Sequence, residues 1–402
     1  MISDYRSYLT STRHHQTKGQ IRSRYVHQDI LSLDGFKRAK EEICSWDSYQ
    51  HTPLQLLSDI ANDSGVSLIA YKDESWRFSL KSFKALGGAY AVANLLIAKL
   101  NEMGIKANSS DLIEGTYSEL TATITVCCAT DGNHGRSVAW GAQKFGCNCE
   151  IYIHRHVSEG REQAIAKFGA KVNRIEGNYD DSVHIAAKVA EERGYYVVSD
   201  TSYEGYTQIP KDVMQGYTVM VSEAIEQMQE NPTHVFLQGG VGGFPAAVVS
   251  YLAESLESAP IFVVVEPNNA DCLFQSAVNG KPTIVHGDLD TVMAGLACGE
   301  VSVLAWKILQ DYVPHYLAID DSCVPKTMQL LANNRPPIVA GESAIAGLAG
   351  LLIASQDDDL RSKLKLTKDS RVLVFGTEGD TDEEMYKNMV GRSASEVLAG
   401  NN

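Results

Sequence analysis

The sequence predicts an α/β fold with two domains, each an open, twisted and mostly parallel sheet flanked by helices. Short apolar runs of strand length alternate with helical patterns along most of the chain, which is typical of parallel sheets with crossover helices. Most of these runs are continuously apolar, as expected for strands that are covered on both faces. A length of 402 residues, of which 44% are hydrophobic, favours two cores rather than one.

The predicted strands begin after a mixed N-terminal segment and continue almost to the C-terminus. Helical patterns such as GRSVAWGAQKFG and TVMVSEAIEQMQE lie between them. In parallel sheets ligands bind at the carboxyl ends of the strands, so the residues that follow each strand are the candidates for a site. The predicted strands are residues 66–74, 123–130, 148–154, 171–177, 195–200, 233–238, 261–267 and 371–377.

The composition excludes several classes of protein. A net charge of -15 and a pI near 5.2 argue against nucleic acid or an anionic membrane surface as the main partner. The longest apolar run, residues 89–98, is too short to span a membrane, and the N-terminus lacks the apolar core of a signal peptide. We therefore expect a soluble cytoplasmic protein without nucleic acid or membrane partners.

The cysteine pattern also favours a cytoplasmic location. Eight cysteines are spread thinly along the chain, which indicates a reducing compartment rather than a disulfide framework. Cys147 and Cys149 lack a second ligand pair at the spacing that zinc sites use, so we predict no metal site. Cys272 and Cys298 both flank glycine-rich or pocket-like segments, and the sequence leaves open whether they pair.

A glycine-rich segment follows the strand at 233–238. The sequence QGGVGGFP places four glycines within residues 239–243, before a helix that we expect to begin near Pro245. Glycines let backbone N–H groups converge, and the helix N-terminus adds partial positive charge, so the segment predicts a phosphate site. A dinucleotide site is the alternative, since Glu266 lies where a ribose-binding acid is expected, but Pro245 occupies the third glycine position.

A second candidate segment, TDGNHG at residues 130–135, follows the strand at 123–130. Asn133 can hydrogen-bond a hydroxyl or a phenolate, and the neighbouring glycines allow close approach of the backbone. Asp131 alone is explained as a helix cap, and His134 alone as a structural histidine. Taken as one block, the segment favours a functional interpretation.

A third strand end carries Asp200, which is followed by Tyr203, Glu204 and Tyr206. Asp131 and Asp200, at the ends of separate strands, could converge on one cleft as proton acceptors. They are equally consistent with unrelated helix caps, and the hydrophobic periodicity does not decide between these interpretations.

Lys84 lies in RFSLKSFKALGGAYAV, between Phe83 and a long apolar helical run. Ser82 is a plausible N-cap, which places Lys84 in the first helical turn. A cation is disfavoured at a helix N-terminus and among apolar neighbours, and both effects favour the neutral amine that a Schiff-base lysine requires. Lys81 lacks the apolar flanks, so we expect it to be exposed.

These segments together resemble those of the fold type II pyridoxal-phosphate enzymes, which include the serine and threonine dehydratases and tryptophan synthase β. SFKALGGAYA resembles their cofactor-binding lysine segment, ATDGNHGRSVAW their asparagine loop, and QGGVGG their phosphate-binding loop. With KDESWRF, DTSYEGYTQIP, MQGY, MAGLACGE, GES and TEGDTDEEMY added, the set resembles most specifically the diaminopropionate ammonia-lyases. The resemblance extends, in order, from near residue 20 to near residue 390.

The resemblance implies that the chain uses pyridoxal 5'-phosphate to eliminate ammonia from 2,3-diaminopropionate, giving pyruvate. Lys84 would hold the cofactor covalently, with Asn133 on the ring phenolate and Thr377 on the pyridine nitrogen. Asp131 stands where dehydratases have serine, and with Asp200 it would supply two bases for the L and D enantiomers. The implied phosphate site is Gly239, Gly240, Val241, Gly242 and Gly243, and the weaker substrate-pocket candidates are Thr130, His134, Tyr206, Glu342 and Ser343.

The resemblance also implies a domain division and an assembly. Residues 1–88 and 205–402 would form a large cofactor-binding domain and residues 89–204 a small domain, with the active site in the cleft between them. The family pattern favours a homodimer.

Three other functions stay open at this point. The same cofactor could serve a dehydratase of serine, threonine or 3-hydroxyaspartate, although Asp131, at the position where dehydratases have serine, argues against this function. An NAD-dependent dehydrogenase would use residues 240–266 as half of a dinucleotide-binding fold. A catalytically silent binding protein could keep the fold, but it would have no use for Lys84.

Overall fold

The structure, a computed structural model, describes residues 2–17, 22–130, 132–155, 157–177 and 179–400, except for the side chain of Asp180. Asp131, one of the residues singled out above, lies outside the described residues. The chain divides into two compact units, and each is described by itself. The larger unit comprises Met1–Leu33, His51–Ser82 and Met220–Asn402, and the smaller unit comprises Asp34–Gln50 and Phe83–Val219. Relative to the expected bounds, residues 34–50, 83–88 and 205–219 group with the smaller unit.

Strands and helices alternate along the described part of the chain. The strands are β1 Arg13–Gln16, β2 Leu54–Leu56, β3 Leu68–Asp73, β4 Thr125–Ala129, β5 Asn148–His154, β6 Lys171–Ile175, β7 Tyr196–Val197, β8 His234–Gln238, β9 Ile261–Pro267, β10 His315–Ile319 and β11 Arg371–Gly376. The α-helices are α1 Leu33–Cys44, α2 Ser58–Ser64, α3 Lys84–Glu102, α4 Ser109–Ile113, α5 Ser118–Thr121, α6 Asn133–Phe145, α7 Glu159–Ala166, α8 Tyr179–Arg193, α9 Gln208–Gln227, α10 Gly243–Ser255, α11 Cys272–Asn279, α12 Val303–Tyr312, α13 Val324–Ala332, α14 Ala346–Ala354, α15 Asp358–Leu364, α16 Glu383–Val390 and α17 Ala394–Ala399. Short 3-10 helices cover Ile2–Ser11, Glu74–Ser79, Ala294–Leu296 and Asp321–Cys323.

The larger unit is built, over its described residues, on a seven-stranded sheet in the order β1-β10-β9-β8-β11-β3-β2. The five inner strands pair in parallel, whereas the edge strands β1 and β2 pair antiparallel with their neighbours. Every residue of α14 is buried, and the helix packs against the sheet. A Cβ at Gly347 of this helix would lie 2.7 Å from the Phe236 carbonyl oxygen, so the close approach requires glycine.

Four charged side chains, which we call the four-charge cluster, are fully buried in the larger unit. They are Lys72 on β3, Glu74 and Arg77 in the 3-10 helix that follows, and Glu223 on α9. The Lys72 ammonium donates to Glu223 over 2.7 Å, and the Arg77 guanidinium donates to Glu74 and to Glu223 over 2.8 Å. Two cations and two anions balance, which is the condition for burying charges at this depth.

The smaller unit carries a four-stranded sheet in the order β6-β5-β4-β7 within its described residues, and all of its pairs are parallel. Helices α3 and α6 pack closely together, since a Cβ at Gly141 would lie 2.8 Å from the Ala89 Cα. Helices α3 and α9 approach as closely, because a Cβ at Gly216 would lie 2.0 Å from the Leu86 carbonyl oxygen. Gly87, near the start of α3, lies at the contact with α9, and Gly88 lies at the contact with α6.

The predicted α/β class and the parallel sheets are confirmed. All eight predicted strands occur as β3 to β9 and β11, although residues 195–200 shorten to Tyr196–Val197. Strands β1, β2 and β10 were not predicted from the sequence. Two of them are short edge strands, and the sequence of β1, RHHQ, has no apolar pattern. The strand is joined to β10 by its backbone and by a contact between the His14 and His315 side chains, neither of which requires apolar residues.

Candidate active site

Lys84 lies in the first turn of α3, as the sequence predicts, but it is the first residue of the helix and the cap is not Ser82. The residue before the helix is Phe83, which offers no side-chain cap, and the first turn of α3 contains no acidic residue. Ser82 is buried and forms an isolated bridge with Glu378. Lys84 therefore stands at the N-terminus of a helix where neither a capping side chain nor an acidic residue of the first turn balances its positive charge.

The Lys84 ammonium forms an ion pair with the Asp200 carboxylate, which lies just after β7 in the smaller unit. Burial alone would raise the pKa of Asp200. The Lys84 ammonium outweighs this effect, with help from His134, and holds the pKa of the Asp200 carboxyl well below its usual range. Asp200 is therefore a partly buried carboxylate that stays ionised at neutral pH, and it touches the one amine that the sequence singled out.

His134, the second residue of α6, lies beside this pair. Its Nε2 is 2.8 Å from the Val198 carbonyl oxygen, and its Nδ1 is 3.9 Å from Asp200 Oδ2. Burial lowers the pKa of His134, Asp200 raises it and Lys84 lowers it, so the net shift is downward. The imidazole is neutral in this setting.

Two aromatic rings enclose the Lys84 amine. The ammonium nitrogen is 5.5 Å from the centroid of the Phe83 ring and 6.0 Å from that of Tyr217, and the two rings are 4.6 Å apart. The Tyr217 hydroxyl is buried and has no hydrogen-bond partner among the described residues. A buried donor without a partner is costly, so this hydroxyl is available to a ligand at the amine.

The loop at residues 130–135 is shaped by its own threonine. The Thr130 hydroxyl oxygen accepts the backbone N–H groups of Gly132 and Gly135, each over 3.0 Å. Gly132 has φ +158° and precedes α6, and Asn133 is the first residue of the helix. The Asn133 side-chain oxygen accepts from Arg136 over 3.1 Å, which orients the amide. Thr130 thus builds the loop, and Asn133 sits at a helix N-terminus, where backbone donors are exposed.

Tyr206 acts on the backbone near Asp200. Its hydroxyl donates to the Val197 carbonyl oxygen over 2.8 Å and accepts from the Ser199 N–H over 3.0 Å. The ring also stacks on Tyr203 at a centroid distance of 5.0 Å. These contacts brace the segment that ends at Asp200, so Tyr206 has a structural role besides the substrate contact that the resemblance implies.

The glycine segment in the larger unit has the form of an anion site. Gly242 adopts φ +98°, which only glycine adopts at no cost, and it caps α10, which begins at Gly243 rather than at Pro245. Within this described segment no acceptor is recorded for the backbone N–H groups of Gly240, Val241 and Gly242. Converging N–H groups and the N-terminus of a 13-residue helix suit a phosphate.

Glu266 does not oppose an anion at this segment. Both of its oxygens are occupied, one by the Leu273 N–H over 2.9 Å and the other by the Phe274 N–H over 2.7 Å, at the start of α11. Burial raises the pKa of Glu266 to about 8. The side chain is therefore largely neutral at pH 7, and it has no free oxygen for a ribose, which removes the basis for a dinucleotide site.

Thr377, the expected partner of a pyridine nitrogen, is buried just beyond β11. Its hydroxyl oxygen accepts from Gln238 Nε2 over 2.8 Å, so its own hydrogen points elsewhere. The acceptor of this amide, Gln238 Oε1, is buried without a partner among the described residues. The sequence analysis missed Gln238, although its position at the end of β8, immediately before the glycines, was a signal.

The remaining two candidates of the larger unit adjoin the glycine segment. The Ser343 hydroxyl accepts from the Gly295 N–H over 2.9 Å, and the Ser343 N–H donates to Glu378 over 3.0 Å. A Cβ at Gly240 would lie 3.4 Å from the Gly295 carbonyl oxygen, so Ser343 reaches the glycine segment through Gly295. Glu342 is 1% exposed and lies next to Ser343.

Other features bear on the expected class of protein. None of the described helices is long and apolar enough to cross a membrane. The described residues contain no group of three or more histidine, cysteine or acidic side chains that could hold a metal. None of the eight cysteines forms a disulfide bond, so Cys272 and Cys298, whose pairing the sequence left open, are not joined.

Comparisons with known proteins agree with this geometry. The family described as "Pyridoxal-phosphate dependent enzyme" matches residues 46–378. Diaminopropionate ammonia-lyase of Escherichia coli K12 is 43% identical over 353 residues, which span 85% of this chain and 87% of that protein.

Solved structures of the Escherichia coli diaminopropionate ammonia-lyase match the whole fold. The complex with an aminoacrylate–pyridoxal-phosphate reaction intermediate has a TM-score of 0.84 and 38% identity, and covers 94% of this chain and 96% of that one. The complex with D-serine has a TM-score of 0.86 and 37% identity, and covers 95% and 98%. The chain therefore belongs to the pyridoxal-phosphate-dependent enzymes of fold type II and, within them, to the diaminopropionate ammonia-lyase family.

Proposed function

We propose that this chain catalyses the α,β-elimination of ammonia from 2,3-diaminopropionate, with pyridoxal 5'-phosphate as its cofactor. The overall reaction balances as one diaminopropionate cation and one water giving pyruvate and two ammonium ions. The observation that carries the proposal is the partly buried ion pair between Lys84 and Asp200. An amine for the cofactor and an ionised proton acceptor lie in contact, as this elimination requires.

Four groups of residues would hold the cofactor. Lys84 would bind it covalently through Nζ, and the N–H groups of residues 239–243 would bind its phosphate. Asn133 would donate its amide N–H to the ring phenolate, and the Thr377 hydroxyl would donate to the pyridine nitrogen. When bound, the cofactor withdraws electrons from the substrate Cα and so makes its proton acidic.

Asp200 would accept the proton from Cα on one side of the substrate. Its ionised state supports this role, since a protonated carboxyl could not accept. Asp131 would accept the proton from the other enantiomer. Because Asp131 lies outside the described residues, its part in the proposal rests on its place in TDGNHG alone.

The carboxylates also favour an amine as the leaving group. A β-ammonium group departs as neutral ammonia and takes the electron pair of the C–N bond, whereas a neighbouring negative charge would hinder a departing hydroxide. This preference supports diaminopropionate over serine, threonine or 3-hydroxyaspartate. A dehydrogenase is disfavoured because Glu266 is occupied by the N-terminus of α11.

A screen for release of the 2-oxo acid tests the substrate, over both enantiomers of diaminopropionate, serine, threonine and 3-hydroxyaspartate. The product is pyruvate from diaminopropionate and serine, 2-oxobutyrate from threonine and oxaloacetate from 3-hydroxyaspartate. We expect turnover of diaminopropionate to exceed that of each hydroxy amino acid by at least tenfold in kcat/KM. Faster turnover of a hydroxy amino acid would assign the chain to the dehydratases instead.

The residues are tested separately. Borohydride should fix the cofactor to Lys84, and Lys84→Ala should abolish this labelling. Asp200→Asn and Asp131→Asn should impair opposite enantiomers of diaminopropionate. Equal loss on both enantiomers from each variant would remove the assignment of one base to each enantiomer without touching the cofactor.

We also propose that the protein works as a homodimer in the cytoplasm. The exposed side chains of Leu56 and Trp76, at 53% and 60%, offer apolar surface that a second copy could cover. The free thiols suit a reducing compartment. Light scattering of the holoenzyme tests the dimer, and a monomer at micromolar concentration would contradict it.

A further inference from the structure

His134 has one ring nitrogen with a fixed partner and one without. Nε2 lies 2.8 Å from the Val198 carbonyl oxygen, and a carbonyl oxygen can only accept, so Nε2 carries a hydrogen in every protonation state. The neutral imidazole therefore has its free lone pair on Nδ1. This atom is buried and has no hydrogen-bond partner among the described residues.

The bare Nδ1 faces Asp200. The distance from Nδ1 to Asp200 Oδ2 is 3.9 Å, about 1 Å longer than a charge-assisted hydrogen bond. A purely structural histidine on this loop would be expected to satisfy both nitrogens, because an unpaired buried acceptor is destabilising. A proton on Nδ1 would close the gap and turn the contact into an ion pair.

We propose that His134 is a positioning residue that takes over the proton accepted by Asp200 and so restores the carboxylate during turnover. This inference rests on the proposed function, in which Asp200 accepts a proton from the substrate. It goes beyond that function because it adds a second holder for the same proton, one that does not itself touch the substrate.

The C–H bond at Cα breaks and its electron pair enters the Cα–Cβ double bond, while the C–N bond at Cβ breaks and its pair leaves with ammonia. The proton goes to Asp200 Oδ2 and then to His134 Nδ1, which leaves an imidazolium beside a carboxylate. The net charge of the two side chains is the same before and after the second transfer. The proton returns to Cβ when the enamine becomes the imine that water hydrolyses to pyruvate.

The charges around His134 suit a temporary proton holder. Asp200 and Lys84 are the charged groups recorded as acting on it within the described residues, with Asp200 after β7 and Lys84 on α3. Burial and Lys84 keep the resting imidazole neutral and able to accept, whereas Asp200 favours the imidazolium once a proton arrives. The Val198 carbonyl stabilises the imidazolium as well, through Nε2.

The test compares His134→Gln with wild type and with His184→Gln, each as the holoenzyme. Glutamine can place its amide N–H where Nε2 donates to Val198, but it cannot hold a proton. His184 is an exposed histidine of the same unit, on α8, and serves as the matched control. The readouts are kcat and kcat/KM for both enantiomers of diaminopropionate from pH 5 to pH 10, together with the absorbance of the bound cofactor.

We expect His134→Gln to bind the cofactor normally but to lose kcat by about a hundredfold, the low end of what a positioned proton-transfer group contributes. Glutamine can keep the contact with Val198 but cannot hold a proton, so KM should change little and the loss should appear in kcat. His184→Gln should match wild type. Unchanged kcat in His134→Gln, or a loss that appears in KM instead, would overturn the proposal.

Two further measurements distinguish a failure of the role of His134 from a failure of the proposed function or of folding. If the wild type itself releases no pyruvate from diaminopropionate, the proposed function fails and not merely the role of His134. If His134→Gln does not fold, 15N spectra of histidine-labelled wild type, assigned with His134→Asn, report the tautomer directly. A hydrogen on Nε2 in the neutral form supports the proposal, and a hydrogen on Nδ1 overturns it.

Discussion

Replacing Glu223 by glutamine should unbalance the four-charge cluster of the larger unit. In the wild type Lys72 and Arg77 face Glu74 and Glu223, and all four side chains are fully buried. Burial by itself would raise the pKa of Glu223, but Arg77 and Lys72 hold it at about 2. Glu223→Gln keeps the shape of the side chain and removes its charge, so one cation remains without compensation.

Leaving one partner of a buried ion pair uncompensated costs about 3–5 kcal/mol. A unit of 150–250 residues loses about 2–4 °C in Tm for each kcal/mol, so Glu223→Gln should lower the Tm by roughly 6–20 °C. Removing Lys72 as well restores neutrality, because the Arg77–Glu74 pair is balanced. The double variant Lys72→Met/Glu223→Gln should therefore melt at a higher temperature than Glu223→Gln alone.

The effect should also depend on pH in a definite direction. Burial already lowers the pKa of Lys72, and losing Glu223 lowers it further. A lysine whose pKa is lower in the folded state binds fewer protons there than in the unfolded chain, so stability rises with pH. The deficit of Glu223→Gln should shrink as the pH rises from 7 toward about 10, near the pKa of an unfolded lysine.

The assay is thermal unfolding of the holoenzyme with the cofactor in constant excess, so that the stabilisation by binding is the same for every variant. The wild type, both single variants and the double variant form a thermodynamic cycle. A Tm of Glu223→Gln within 2 °C of wild type, or a double variant that is less stable than Glu223→Gln, would refute the electrostatic explanation.

Three further outcomes are expected. Gly242→Ala should weaken cofactor binding at least tenfold in an absorbance titration, because φ is +98° at this N-cap, whereas Gly280→Ala, at φ +67° with open space around it, should strain the chain without that loss. Tyr217→Phe should leave the Tm unchanged or raise it, since the hydroxyl has no partner, but should lower kcat for diaminopropionate. Glu266→Gln should flatten the pH dependence of stability: the pKa of Glu266 rises from 4.5 to about 8 on folding, so the folded state binds the extra proton. Wild-type stability should then fall by about 1.4 kcal/mol per pH unit between those values, and an equal slope in the glutamine variant would contradict this.

The sequence predicts those strands of both sheets whose side chains form an apolar pattern. β5 and β9 occur with the predicted bounds, because each contains a run of buried apolar residues that marks a strand. β1 shows the opposite case. Its side chains have no apolar pattern, and it exists because a neighbouring strand offers unpaired backbone groups.

The candidate site divides in the same way. Lys84 and the glycines at 239–243 could be found from the sequence, since a lysine among apolar residues and a dense glycine cluster are each unusual for local reasons. The prediction that Ser82 caps α3 is wrong, because Ser82 forms an isolated β-bridge with Glu378 that no local sequence pattern reveals. Gln238 and Tyr217 were missed because their importance comes only from what they face.

The sequence by itself determined the α/β class, the parallel sheets, the cofactor and the family, because these depend on local periodicity and on short segments whose chemistry is carried by adjacent residues. Only the tertiary structure decided that the amine of Lys84 meets Asp200, 116 positions away, with Nδ1 of His134 beside it. It also decided that Glu266 is an internal cap rather than a ligand for a ribose. The physical reason is that protonation state and hydrogen-bond partners depend on distances through space, and the chain order does not contain those distances.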